Sequence, residues 1–172
     1  MARQISLREF QQSLAQRLRE AQAATEQSSR LGVQAGEGYW LLKLDETDEV
    51  LPLPEISPVP LTQAWYLGLA NVRGVMANVV DFGAFLGSEI TTRTPDCRLV
   101  LVAERYQSYS GLLIGRMMGL RNIQTLEALE ASAGQEREAW VGGTYRDAEG
   151  RTWKELNMAA LVANENFLNV GA

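Results

Sequence analysis

Three charged side chains stand out by where they sit. Arg73 and Asp81 lie inside the longest apolar run of the chain, Trp65–Gly87 (WYLGLANVRGVMANVVDFGAFLG), and Glu49 closes the acidic run Asp45-Glu46-Thr47-Asp48-Glu49. Two kinds of chemistry are open to them. Glu49 and Asp81 could converge across a groove as the acid and base of a carboxylate-based hydrolase. Alternatively a carboxylate holds Arg73 in an ion pair, because a guanidinium cannot be buried unpaired. That pair is either structural, with Asp81 or a more distant Glu, or it offers a charged contact to a partner. The two chemistries oppose each other, since an ion-paired carboxylate makes a poor raised-pKa acid.

The remaining composition removes most other catalysts. The chain has no histidine and one cysteine, Cys97. Ser-His-Asp and Cys-His catalysis and His-ligated metals are thereby excluded. Cys97 precedes the strand-like Arg98–Ala103 and reads as a buried apolar thiol. A single cysteine forms no intrachain disulfide and fits a reducing, cytoplasmic setting. At 172 residues, 46% hydrophobic and 22% charged, the chain reads as one soluble domain with or without an extension. A net charge of −5 argues against a broad nucleic-acid or anionic-membrane footprint, so an oligonucleotide-binding barrel is disfavoured. No stretch approaches about 18 uninterrupted apolar residues, and the start lacks a secretory signal pattern.

The elements that must position the charged residues are mostly short strands. Tyr66–Val72 and Val75–Val80 flank Arg73-Gly74 and predict an antiparallel hairpin with Arg73 lifted out at the bend, where Gly74 supplies a positive φ and Asn71 tolerates one. Upstream, residues 5–21 predict an amphipathic helix: Ser6 and Glu9 form a capping box, and Leu7, Phe10, Leu14, Leu18 and Ala21 make one stripe. That stripe is expected to pack on its own domain, to pair with a copy of itself or to dock on a partner. Residues 22–38 read as a linker, giving an N-terminal unit over 1–35 and a domain over 36–172. Tyr39–Leu44 is a first strand, and Pro52, Pro54, Pro58 and Pro60 mark an extended connection. Phe82–Leu86 predicts a helical turn ended by Gly87. Arg98–Ala103, Gly111–Met118, Trp140–Thr144 and Thr152–Leu156 are further strands. Leu120–Gln135 could hold a short helix, and Asn157–Ala163 another. Turns every 8–12 residues or so predict a mainly β barrel or sandwich.

These residues carry a resemblance. Glu49-Val50, then Glu55-Ile56-Ser57-Pro58-Val59-Pro60, then Leu67-Gly68-Leu69-Ala70-Asn71-Val72-Arg73-Gly74 (G-x-x-N-x-R-G), then Val79-Val80-Asp81-Phe82 resemble a CheW-like domain in order and spacing. The resemblance extends over about residues 36–168. Within the family, the SLREFQQSLAQRL helix and the EISPVPLTQAWYLGLANVRG segment are most similar to twitching-motility adaptors of type IV pilus systems. It departs from the pattern at Phe82, where leucine is usual, and in the acidic Asp45–Glu49 run. The resemblance implies two interlaced five-stranded SH3-like barrels with an apolar layer between them, no catalysis and no cofactor. It implies an adaptor that couples the cytoplasmic tip of a chemoreceptor to the regulatory domain of a CheA-type histidine kinase, with a swimming-type chemotaxis adaptor as the alternative output. Glu49 and Arg73 would match the charged pair beside the receptor groove. Gly68, Asn71 and Gly74 would match the hairpin that shapes the groove, and Asp81 the end of its second strand.

Overall fold

The computed structural model describes residues 7–130 and 138–172, with side chains from residue 11 onward. A long helix, α1 (Leu7–Ser28), leads into strands β1 (Ser29–Ala35), β2 (Gly38–Lys43), β3 (Thr47–Pro52), β4 (Tyr66–Val72) and β5 (Val75–Asp81). After helix α2 (Phe82–Phe85) come β6 (Arg98–Val102), β7 (Ser110–Ile114), β8 (Arg116–Asn122), β9 (Glu127–Ala128), β10 (Val141–Arg146) and β11 (Thr152–Leu156). Helices α3 (Met158–Val162) and α4 (Glu165–Leu168) follow.

The strands form two sheets. One has the order β8-β1-β2-β11-β10-β9, the other β3-β6-β7-β5-β4. The first therefore takes both ends of the chain and the second takes its middle. The chain crosses back between β7 and β8, where the Gly115 N–H donates to the Gln34 carbonyl of β1 at 2.9 Å. This is the interlaced mainly β arrangement that the motifs imply, with the two-residue β9 as an additional ribbon on the first sheet.

The second sheet is strongly curled. Strands β3 and β4 are its opposite edges, yet Leu51 of β3 and Leu67 and Val72 of β4 pack on one small core of Ala70, Val79 and Leu99. Gly111 makes room for that core, since a Cβ there would lie 2.7 Å from the Leu99 side chain. The main core lies between the sheets and is built from Val33, Trp40, Leu42, Val80, Phe82, Val100, Leu112, Ile114, Leu156, Met158 and Leu161, among others. Each fully buried side chain of this size contributes roughly 1.5–3 kcal/mol relative to exposure.

Several sequence expectations are corrected. Residues 22–38 are not a linker: α1 continues to Ser28 and β1 follows at once, so the sheet begins ahead of the boundary expected at residue 36. Because no residue separates α1 from β1, the helix cannot fold back, and Leu14 and Leu18 are 48% and 57% exposed rather than packed on the domain. Ser6 of the expected capping box lies outside the described residues. Gly111–Met118 is two strands broken at Gly115. The expected helix over Leu120–Gln135 is the end of β8, a 3-10 turn at Ile123–Thr125 and β9, with 131–137 outside the described residues. Its leucines do not share a buried face, and Leu120 is 64% exposed. Trp140 precedes its strand instead of opening it, and α4 is an element the pattern did not predict.

Buried polar groups tie the layers together. The Asp147 carboxylate accepts from the Trp153 indole N–H at 2.9 Å and from the Arg151 amide at 2.8 Å. Burial by itself raises its pKa, but the Trp153, Arg151 and Glu149 contacts outweigh that and hold it below the ordinary 3.8. Glu46 accepts from the Tyr106 hydroxyl and from the first amide of α3. Asp147→Ala leaves the indole N–H without an acceptor and should lower stability by about 1–3 kcal/mol at neutral pH. A folded pKa below the unfolded one means that this contribution is complete above the unfolded value and is lost as pH falls through the folded one. Denaturant titrations should show a constant gap between wild type and variant from about pH 7 to 5, narrowing below about pH 4. A gap that widens on acidification would contradict the assignment.

Candidate functional site

The β4–β5 hairpin is joined by Arg73 and Gly74 alone, between the paired residues Val72 and Val75. Both turn residues have positive φ, 52° at Arg73 and 86° at Gly74. Two-residue hairpin loops favour such a turn because its twist matches that of the strands. Glycine enters it freely, and a Cβ on Gly74 would meet nothing within 4 Å. Arginine enters it under strain. The Asn71 side-chain oxygen secures the turn by accepting from the Gly74 N–H at 2.8 Å.

At this tip the Arg73 guanidinium donates to the Glu49 carboxylate at 2.7 Å, with side-chain exposures of 78% and 33%. Glu49 belongs to β3 and Arg73 to the hairpin at the opposite edge of the same sheet, so the pair spans the mouth of the curled sheet. The question of which carboxylate meets Arg73 is answered by Glu49. An exposed pair of this kind adds only about 0.2–1 kcal/mol to stability. Its physical effect is to restrict where the guanidinium points while leaving most of it open to a second contact.

Gly68 and Asp81 serve this site from a distance. Gly68 (φ 127°) sits where the β4–β5 register shifts, and Leu69 beside it exchanges two backbone hydrogen bonds with Ser57 of the proline-rich connection, at 2.7 and 2.9 Å. A Cβ on Gly68 would lie 2.1 Å from the Ser57 carbonyl oxygen. Asp81 is completely buried. Its carboxylate accepts from the Ala84 amide at 3.1 Å, capping α2, and from the Thr91 amide and hydroxyl at 2.7 Å each. Expected as a partner contact, it is a positioning residue, since no partner surface can reach it. The hydrolase pairing of Glu49 with Asp81 fails for the same reason, with one carboxylate paired to Arg73 and the other consumed by its own loop. Among the described residues no cluster of three or more His, Cys, Asp or Glu side chains could hold a metal.

The structure adds neighbours that the motif did not single out. Val75 and Met76, the first two residues of β5, are 52% and 49% exposed and follow directly on the turn. The adjacent Gln107–Tyr109 loop is strained, with φ 50° at Gln107 and 46° at Tyr109. Asn78 holds it: the Tyr66 hydroxyl donates to the Asn78 side-chain oxygen at 2.7 Å, and the Asn78 amide reaches the Ser108 and Tyr109 carbonyls. Burial pushes the Tyr66 hydroxyl pKa up, so it stays a donor. The exposed pair Val75-Met76 inside an apolar run was the available signal. Elsewhere, between α2 and β10–β11, an apolar-floored cleft of about 840 Å³ is lined by Trp40, Phe85, Leu86 and Trp140, and neither Arg73 nor Glu49 borders it.

The CheW-like domain model matches residues 30–166, most of the chain. The chain belongs to the CheW-like family. A curated relative, Protein PilI of Pseudomonas aeruginosa (strain PAO1), is 28% identical over 155 residues, covering 87% of this chain and 83% of that protein. The crystal structure of the scaffolding protein TtCheW from Thermoanaerobacter tengcongensis superposes with a TM-score of 0.63 at 18% identity, covering 76% of this chain and 88% of that one. The CheW-like fold is thus shared at low identity, with the Arg73 hairpin inside the matched region.

The two glycines should separate on substitution. Gly68→Ala forces a backbone clash and a strained φ together and should lower stability by at least about 2 kcal/mol. Gly74→Ala meets open space, so only the φ penalty of about 1–2 kcal/mol remains. Chemical denaturation of both variants checks the order, and equal losses would contradict the geometry.

Proposed function

We propose that this protein is a non-enzymatic adaptor that couples the cytoplasmic tip of a chemoreceptor to the regulatory domain of a CheA-type histidine kinase. The observation that carries the reading is the Arg73–Glu49 pair, 2.7 Å apart on a rigid two-residue turn in a CheW-like chain. A receptor tip is helical, and a helix laid against Val75 and Met76 would find apolar contact there. Arg73, aimed by Glu49, would supply a donor fork that fixes the helix register. Receptor and kinase each binding one rigid body would link their conformations, which is what coupling requires. The similarity to PilI supports an output through type IV pili and twitching motility, with swimming-type chemotaxis as the alternative. Among the described residues no helix is long and apolar enough to cross a membrane. The adaptor would work in the cytoplasm, at the membrane-bound receptor arrays.

Calorimetry with a purified chemoreceptor cytoplasmic fragment tests the reading. Arg73→Ala should weaken receptor binding at least about tenfold, equivalent to 1.4 kcal/mol. It should shift the melting temperature by no more than about 4 °C, as expected for loss of an exposed pair from a chain of this size. Unchanged receptor binding, or loss of cooperative melting, would contradict the role given to Arg73.

A further inference from the structure

Helix α1 stands off the rest of the molecule. Residues 11–27 are exposed without a break, and the first buried residue is Ser28, where the helix meets β1. The joint itself is held. The Arg30 guanidinium donates to the Gln27 carbonyl at the end of α1 and to the Glu155 carboxylate of β11, the latter at 2.7 Å. The Ser28 and Ser29 hydroxyls both donate to the Thr25 carbonyl, at 3.1 and 2.7 Å. The helix is thus an arm of 22 residues, about 33 Å long, fixed at its base. Helices in proteins draw most of their stability from packing an apolar face, and the described face of α1 packs on nothing in its own chain. The CheW-like domain model begins at residue 30, so α1 is an addition to the family fold.

Leu14, Leu18, Ala21 and Thr25 follow one another at the four-three-four spacing of a coiled-coil seam. Charge is divided along the same helix. Residues 11–19 carry Arg17 and Arg19 and no acid, whereas residues 20–28 carry Glu20 and Glu26 and no base. Among the described residues none of these four has an ion-pair partner. A helix with a basic half followed by an acidic half is its own complement once reversed, and the backbone dipole adds to the same preference. We propose that α1 pairs antiparallel with α1 of a second copy, making this protein a homodimer. A two-fold axis between residues 19 and 20 sets Leu18 against Ala21 of the other copy and Leu14 against its Thr25, large against small. It also lays the basic half of each helix along the acidic half of the other. A parallel pair would bring like halves together and crowd both domains at one end, whereas the antiparallel pair places them at opposite ends of the arm. An anionic membrane surface is a poor occupant for a face rimmed by both signs of charge. The pairing does not rest on the adaptor reading.

The test is sedimentation equilibrium of the full chain at protein concentrations up to on the order of 100 µM. Wild type should form dimers, and Leu14→Gln with Leu18→Gln should weaken them at least about tenfold while leaving the melting of the β domain unchanged. Two charge variants separate the second copy from other occupants. Arg17→Glu with Arg19→Glu makes the described part of the helix wholly acidic, and Glu20→Arg with Glu26→Arg makes it wholly basic. Each should be largely monomeric alone, and an equimolar mixture should recover a heterodimer that weakens as salt is raised. Under oxidation Gln11→Cys should not cross-link to itself, because the antiparallel pair holds the two positions about 25 Å apart. A monomeric wild type would overturn the proposal, as would charge variants that self-associate like wild type or a mixture that stays monomeric. A disulfide-linked Gln11→Cys dimer would overturn the antiparallel arrangement. A monomeric wild type whose Leu14→Gln, Leu18→Gln variant loses affinity for a chemoreceptor cytoplasmic fragment, or for phosphatidylglycerol vesicles, would give the face to another helix or to a membrane and overturn the proposal equally.

Discussion

The curl of the five-stranded sheet is the constraint on which the site depends. A flat sheet in the order β3-β6-β7-β5-β4 would keep β3 and β4 at opposite sides. Here the small core around Leu99, Val79 and Ala70 draws both edges over itself. Apolar burial supplies the driving force, and the exposed ion pair across the mouth is a consequence of that closure. The core brings Glu49 within reach of Arg73, and the pair then limits where the guanidinium points. Removing the pair should leave the curl standing, whereas disturbing the Ser57–Leu69 junction should disturb both.

The same logic sorts the charged residues by role. Asp81, Asp147 and Glu46 are buried and spend their oxygens on amides, two hydroxyls and an indole. Such groups specify how loops and helices meet the sheets, and an unsatisfied one would be costly. Arg73 sits at the other extreme, strained in its backbone, exposed in its side chain and anchored by one carboxylate. Strain kept at an exposed turn fits the recognition role proposed for Arg73 better than a role in stability.

Much of this was legible in the residues. The Arg73-Gly74 hairpin, the strands at Arg98 and Thr152 and the short helix expected over Asn157–Ala163 follow from alternation, turn chemistry and apolar spacing, which are local. The family resemblance matched Glu49 and Arg73 to a charged pair but left open which carboxylate Arg73 meets, and the closure of the sheet supplies the answer, Glu49. What was not legible depends on distant partners. Strand β1 looked like a linker because Gly32, Gln34 and Gly36 break its pattern, and only pairing with both β2 and β8 makes it a central strand. Asp81 looked like a surface carboxylate because its partner Thr91 lies in a polar loop. The left-handed backbone at Leu61 (φ 60°) gave no signal, since it goes with pairing to the distant segment around Gly171 and Ala172.

In the proposed adaptor, Glu49 acts on a partner only through Arg73. Affinity for a chemoreceptor cytoplasmic fragment, measured for wild type, Glu49→Gln, Arg73→Ala and the double variant, tests it most directly. The loss for Glu49→Gln should be smaller than that for Arg73→Ala, and the double variant should bind no more weakly than Arg73→Ala alone. Additive losses would show Glu49 contacting the partner independently, and a Glu49→Gln variant that binds like wild type would show that the pair does not aim Arg73 at all.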